Sequence, residues 1–283
     1  WLAFAAAQDP SLSGRIRRLA LFSLPYQPPP GPNGSAERRR LLAEALGGAD
    51  PADADAACLV AASSTINRAW AGRGLGVQPL AGGRLAGDVQ DWRAAVGRLG
   101  DIREVLLSTT AHEARAFIPP GAAEKLPEQA AAGLRARHFK RPDDRPSASS
   151  AWERMTSDMT EYQFSSPARE LAAELRGAGI PVHVSRLDVE APAGAGAAHC
   201  FDLPFLFGDR SQWRDAPMLA GLDDATFVAV AAVWREPLVR ALAGESMTTG
   251  PGEVRAVGIA GGQVRTARVP DLGRGEPVRR AEP

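Results

Sequence analysis

The sequence has little of several things that carry function by themselves. Two cysteines in 283 residues are too few for a disulfide framework or a four-thiolate zinc site. There is no excess charge: 33 basic side chains stand against 33 acidic ones, so no field of one sign draws the protein to nucleic acid or to an anionic membrane. No apolar run reaches the ~18 residues that a membrane-spanning helix needs. Lysine occurs only at Lys125 and Lys140, and arginine takes its place. Arginine favours bidentate anion contacts, but these arginines are scattered and matched by acids. With abundant Ala, Gly and Pro, they read as the product of G- and C-rich coding DNA. No internal repeat is present. What remains is ordinary globular composition, 45% apolar and 23% charged, at a length that fits one large domain or two smaller ones.

The chain opens on WLAFAAAQDP, which reads as a helix already under way from Trp1 to about Gln8 and stopped by Asp9-Pro10. A helix without a beginning predicts that the chain is part of a longer polypeptide. RIRRLALFS (15–23) reads as a strand, and the Pro-rich loop after it leads to a helix capped by Ser35 and running through Leu46. A second helical region covers about Ala52–Trp70, and Trp92 and Val96 sit four apart on a short helix. IREVLLSTT (102–110) and IPVHVSRLD (180–188) are strands, with broken helical sequence between Pro119 and Gly179. Asp223 or Asp224 caps a helix with Phe227, Val230, Ala231 and Trp234 on one face, which Pro237 should kink or end. VRAVGIAGGQVRTARV predicts a hairpin turning at Gly261-Gly262, and a polar tail follows over 271–283. Strands separated by long helical segments make this an α/β protein with a mostly parallel sheet.

Four histidines could shuttle protons near neutrality: His112, His138, His183 and His199. His183 lies inside a strand and reads as structural, and His138 sits in an exposed Arg-rich stretch. His112 precedes Glu113, but adjacent residues rarely face each other, so the two are not a catalytic couple. His199 follows a Gly/Ala loop and precedes the apolar Phe201–Phe205 segment, which suits a general base standing at a sheet end. No HxH or HxxxH spacing supports a metal site, and Cys200 is poorly placed for attack with His199 as its neighbour. Trp152, Met155 and Phe164 fit either a pocket or the core.

The run His199-Cys200-Phe201-Asp202-Leu203-Pro204-Phe205-Leu206-Phe207-Gly208 resembles the catalytic-histidine segment of type B carboxylesterases, the family of the cholinesterases and bacterial p-nitrobenzyl esterases. Other segments resemble that family in the same order. VLLSTTAHEARAF (105–117) is similar to the segment carrying the triad acid. SDMTEYQFSSPARELA (157–172) is similar to a helical segment with its Asp158, Phe164 and Pro167. IPVHVSRLD matches the strand before the histidine loop, and the first 23 residues match the helix and strand that follow the nucleophile elbow.

The resemblance implies an incomplete α/β-hydrolase fold, with 1–270 the C-terminal portion of one such domain. It implies His199 as general base, Glu113 as its orienting acid, a small-molecule ester as substrate, and no cofactor or metal. Ala114 stands where the family usually has Gly, and Gly47-Gly48 stand where Cys58 would find a disulfide partner, which favours a cytoplasmic over a secreted protein. The GxSxG elbow and the Gly-rich oxyanion loop are missing, so the resemblance implies a nucleophilic serine a few residues before Trp1 and a chain inactive alone. Gly244-Glu245-Ser246 imitates half an elbow, but it lacks the closing Gly and follows the histidine, against the Ser, acid, His order of this fold. The alternative is an esterase-like binding protein without catalysis, since the same fold also serves adhesion.

Overall fold

Short β-branched and aliphatic runs alternate with longer helical stretches, and a parallel sheet needs such crossovers to bring each strand back beside the last. The computed structural model describes residues 1–70, 76–82, 85–118, 125, 127–138, 150–190 and 196–270, without the side chains of Leu134, Arg137 and His138. The described elements are α1 (Leu2–Ala7), β1 (Arg18–Phe22), α2 (Pro32–Ala45), α3 (Ala56–Ala69), α4 (Trp92–Gly97), β2 (Glu104–Thr110), α5 (Glu128–His138), α6 (Ala151–Thr160), α7 (Ser166–Gly177), β3 (Val182–Leu187), α8 (Leu203–Phe207), α9 (Asp224–Leu242), β4 (Glu253–Ala260) and β5 (Gln263–Pro270). The predicted polar tail lies outside the described residues, as does most of the Pro-rich break before α6.

Two compact units divide the chain: Trp1–Tyr26 with the described residues from Val96 onward, and Gln27–Ala95. The first holds the whole sheet, in the order β1-β2-β3-β4-β5. β1 to β4 run parallel, and β5 returns antiparallel from β4 across Gly261-Gly262, whose φ of 57° and 73° suit the tight primed turn that the dipeptide predicts. β2 is buried at every position, as a central parallel strand should be. On one face, Leu187 and Val257 pack against Phe227, Val230, Ala231 and Trp234 of α9, the four residues whose spacing marks one helix face. On the other face lie α6 and α7, with Leu171 and Leu175 of α7 fully buried.

Within Gln27–Ala95, two helix starts differ from expectation. α2 begins at Pro32, with Gly31 as its N-cap, because proline already holds the φ of a first helical residue. Ser35 sits inside that first turn, and its hydroxyl donates to Pro30 O at 2.9 Å. α3 begins at Ala56 and not Ala52, since the Asp55 carboxylate accepts from Cys58 N at 2.7 Å and fixes the start.

The prolines inside helices are the more instructive cases. Pro237 does not end α9, which continues to Leu242. A proline leaves the carbonyl four residues before it without its helical donor. That carbonyl, Val233 O, accepts from both terminal nitrogens of Arg255 at 3.1 Å. Pro167 does the same to Gln163 O, which accepts from Tyr26 N at 2.6 Å. Here the chain also widens into a π-helical turn at Glu161–Ser165, joining α6 to α7. Arg255→Met should therefore lower the unfolding free energy by about 1–3 kcal/mol, the cost of an orphaned carbonyl. In a Pro237→Ala background the loss should shrink, because the helix's own N–H returns to Val233; denaturant titration of the four variants checks this.

Candidate active site

Parallel strands deliver their C-terminal ends to one edge, and the loops beyond them carry chemistry. β1 ends at Phe22, and the next residue, Ser23, takes a left-handed φ of 50° while its amide still donates to Ser108 O at 2.7 Å. That unusual backbone for a non-glycine residue aims the Ser23 hydroxyl along the sheet edge. β2 ends at Thr110, after which His112 and Glu113 enter a single 3-10 turn, Glu113–Ala116. The turn brings Glu113 under the strand end. Its Oε1 accepts from Thr110 N at 2.7 Å and from Ser23 Oγ at 2.6 Å, and its side chain has no solvent exposure.

His199 arrives from the loop after β3. Its backbone N–H donates to Glu113 O at 3.2 Å, and His112 N donates to Ala197 O at 2.9 Å, so the two loops are laced by their backbones. Beyond His199, Cys200 holds a φ of 68°, and Phe201 and Phe205 are buried in the α9 core with ring centroids 5.4 Å apart. α8 closes on Gly208 in the left-handed conformation, its N–H returning to Pro204 O at 2.8 Å. The apolar segment is thus the anchor its composition suggests. It fixes the ring of His199 with Nδ1 2.6 Å from Glu113 Oε2.

Two aromatic rings pack beside that imidazole, on one side of it: Phe117 at 5.2 Å and Phe164 at 5.3 Å between centroids. The two phenyl rings are stacked, 5° from parallel. Phe164 stands on the π-helical turn, so that turn supplies a wall of the site. The Trp152 indole donates to Ile118 O at 2.7 Å beneath the Arg115 guanidinium. Asp158 is buried and paired with Arg135 at 3.0 Å, which makes it a structural charge.

The electrostatics divide the histidines. Burial opposes charge on His199, but the hydrogen bond and the negative charge of Glu113, helped by Asp202, outweigh it and hold its pKa above the ordinary imidazole value. Asp202 is buried beside the same carboxylate, and burial first, then the Glu113 charge, pushes it up to about 6. His183 is buried in β3, and burial with the charges of Arg255 and Arg268 lowers it to about 4. It reads, as expected from its place in a strand, as a neutral core residue. His112 points away from the pair, its Nδ1 3.9 Å from Glu190, and the side chain of His138 lies outside the described residues. Burial raises the Cys200 thiol, which keeps it protonated. Ser246 donates to Glu104 Oε1 at 2.9 Å, at the start of β2 and so at the opposite end of the strand from Glu113.

A cavity of about 510 Å³ lies on the α6–α7 side, lined by Thr109, His112, Arg115, Glu161 and Arg186 among others; it contains neither Glu113 nor His199. Among the described residues, no three His, Cys, Asp or Glu side chains cluster closely enough to hold a metal ion. Nor is any helix there long and apolar enough to cross a membrane.

The pH behaviour follows in sign. His199 gains affinity for its proton on folding, so its pairing adds stability that is complete below about pH 6.5 and is lost as pH rises through the folded value. His183 works the other way: below about pH 6.5 the unfolded chain takes up a proton that the folded chain refuses until about pH 4, and stability falls across that window. In an NMR titration, Glu113→Gln should move the His199 midpoint down, because burial then acts without the opposing carboxylate.

No family model matches the chain. In sequence it is 30% identical over 203 residues to a protein of Rhodococcus erythropolis described as a probable N-octanoylanthranilate hydrolase, covering 66% of this chain and 40% of that protein. In structure it is similar to a carboxylesterase of Geobacillus stearothermophilus, with a TM-score of 0.65 at 18% identity over 94% of this chain and 59% of the other. A thermophilic p-nitrobenzyl esterase gives a TM-score of 0.66 at 18% identity, over 93% and 58% of the two chains. The chain therefore spans less than two thirds of each of these relatives. Over that span, the chain has the α/β-hydrolase fold of the type B carboxylesterases and p-nitrobenzyl esterases.

Proposed function

We propose that this chain is the C-terminal portion of a serine carboxylesterase and carries its general base, His199, and orienting acid, Glu113. The observation that carries the reading is the 2.6 Å contact of His199 Nδ1 with a fully buried carboxylate. Glu113 spends one oxygen on the imidazole and the other on Thr110 N and Ser23 Oγ, so it holds one edge of the ring and leaves Nε2 for a substrate-side partner. The fold-level likeness to esterases and the partial span of them support the same reading. The sheet also ends, among the described residues, at the parallel strand β1, the side on which further strands of a hydrolase sheet would pair.

In the proposed reaction, His199 Nε2 takes the proton of a serine hydroxyl lying outside this sequence as its oxygen attacks the ester carbonyl. The carbon–alkoxy bond then breaks, and His199⁺ passes its proton to the departing alcohol, leaving an acyl-serine. Water, deprotonated by His199, attacks the acyl carbon; the bond to the serine oxygen breaks, His199⁺ returns its proton to that oxygen, and the acid leaves. Glu113 orients the imidazole and stabilises the imidazolium at each transfer. Backbone N–H donors for the oxyanion come from outside this sequence as well. Phe117 and the buried Phe164 pack beside the imidazole. Since the curated relative is described as acting on an N-octanoyl compound, N-acyl bonds belong beside esters in a substrate screen.

Two results test the reading. The coding sequence upstream of Trp1 should specify GxSxG, and its absence would refute a serine esterase. The chain alone should give no saturable turnover of p-nitrophenyl acetate, while a polypeptide extended through that motif should, with His199→Ala losing at least about a thousandfold.

A further inference from the structure

We propose that Gly196 and the ring of His112 form a steric clamp that sets where His199 meets Glu113, which makes both of them positioning residues. The inference rests on the reading of Glu113 and His199 as the acid–base pair and explains what fixes their separation.

The 2.6 Å contact requires two loops to hold one register. Only two backbone hydrogen bonds join them among the described residues: His112 N to Ala197 O at 2.9 Å, and His199 N to Glu113 O at 3.2 Å. The first lies directly beside Gly196. There the loop adopts a φ of +65° and passes so close to the acid-bearing turn that a Cβ on Gly196 would stand 2.7 Å from His112 Nδ1 and 3.2 Å from its Cγ. It would also stand 2.6 Å from a terminal nitrogen of Arg115, but that long side chain can swing aside, whereas the imidazole ring is attached next to the hydrogen-bonded His112 amide. His112 Nδ1 is buried and makes no hydrogen bond to any described residue, so the ring serves here as a surface and not as a donor. Burial and then the Arg115 charge push its pKa down, which keeps that surface neutral at neutral pH. Ala197, next in the loop, is fully buried, and Ala198 N returns to Gly196 O at 2.9 Å. From Gly196 to His199 the path is three residues, too short to absorb a displacement at one end without passing it to the other.

A side chain at 196 should therefore lift the loop off His112 and draw His199 away from Glu113. The test is proton NMR of the chain and its variants, reading the far-downfield resonance of the His199 Nδ1–H held by Glu113, and the His199 titration midpoint. Without that resonance in the unsubstituted chain, the acid–base reading itself fails. With it present, Gly196→Ala should lose the resonance and lower the midpoint, while the His183 signals remain in place. Adding His112→Ala, which removes the ring that the new methyl meets, should restore both. A folded Gly196→Ala variant that keeps the resonance and midpoint would overturn the clamp. If Gly196→Ala fails to fold, recovery of fold and resonance in the double variant supports it. Failure of the double variant to recover them overturns it, because contact with His112 would then not be what the glycine relieves.

Discussion

A carboxylate without solvent exposure holds this site together. Taking a charge out of water costs several kcal/mol, and it persists only where directed hydrogen bonds replace the lost hydration. Glu113 has three such partners, one local and two remote: Thr110 at the end of its own strand β2, Ser23 after β1, and His199 in the loop after β3. Each strand end is therefore committed to the same pair of oxygens. The parallel register, Phe22 beside Ser108 and Thr110 beside Leu187, brings these ends level. A slip of one residue would turn the side chains to opposite faces and leave the charge unmet.

The helices contribute through a recurrent physical device. A proline leaves bare the carbonyl four residues before it, and both in the π-turn before α7 and in α9 that carbonyl is met by a donor from a distant segment, Tyr26 N in one case and Arg255 in the other. Just before Pro167 the helix widens into a π-turn, and Phe164 on that turn packs beside the imidazole. What is a defect in local helix terms becomes a wall of the site.

Much of this is legible in the sequence, for reasons that can be named. The strands at 102–110 and 180–188 show as dense β-branched and aliphatic runs, the closing hairpin shows in Gly261-Gly262, and the α9 face shows in its spacing. Glu113 and His199 emerge from local motif likeness, and they stand together in the fold. Ser23 escapes notice because nothing local distinguishes it; its role exists only once β1 is paired with β2. Phe117 and the lacing of the two loops are hidden for the same reason. Ser35 passes for a cap because a serine before a run rich in Arg, Leu, Glu and Ala looks like one, yet the proline three residues earlier has already begun the helix. Pro237 reads as a kink or an end, and that the helix runs on past it is not visible locally, because Arg255, which meets the bared carbonyl, lies eighteen residues further on.

The account stands or falls on which nitrogen of His199 the buried carboxylate holds. Nitrogen-15 spectroscopy of labelled histidine, taken above the pH at which His199 loses its charge, reads the tautomer directly. The geometry predicts that the remaining proton sits on Nδ1, facing Glu113, with Nε2 bare and able to accept a proton. A neutral ring carrying its proton on Nε2 would mean that Glu113 does not orient this imidazole as a general base, and the central claim would be wrong.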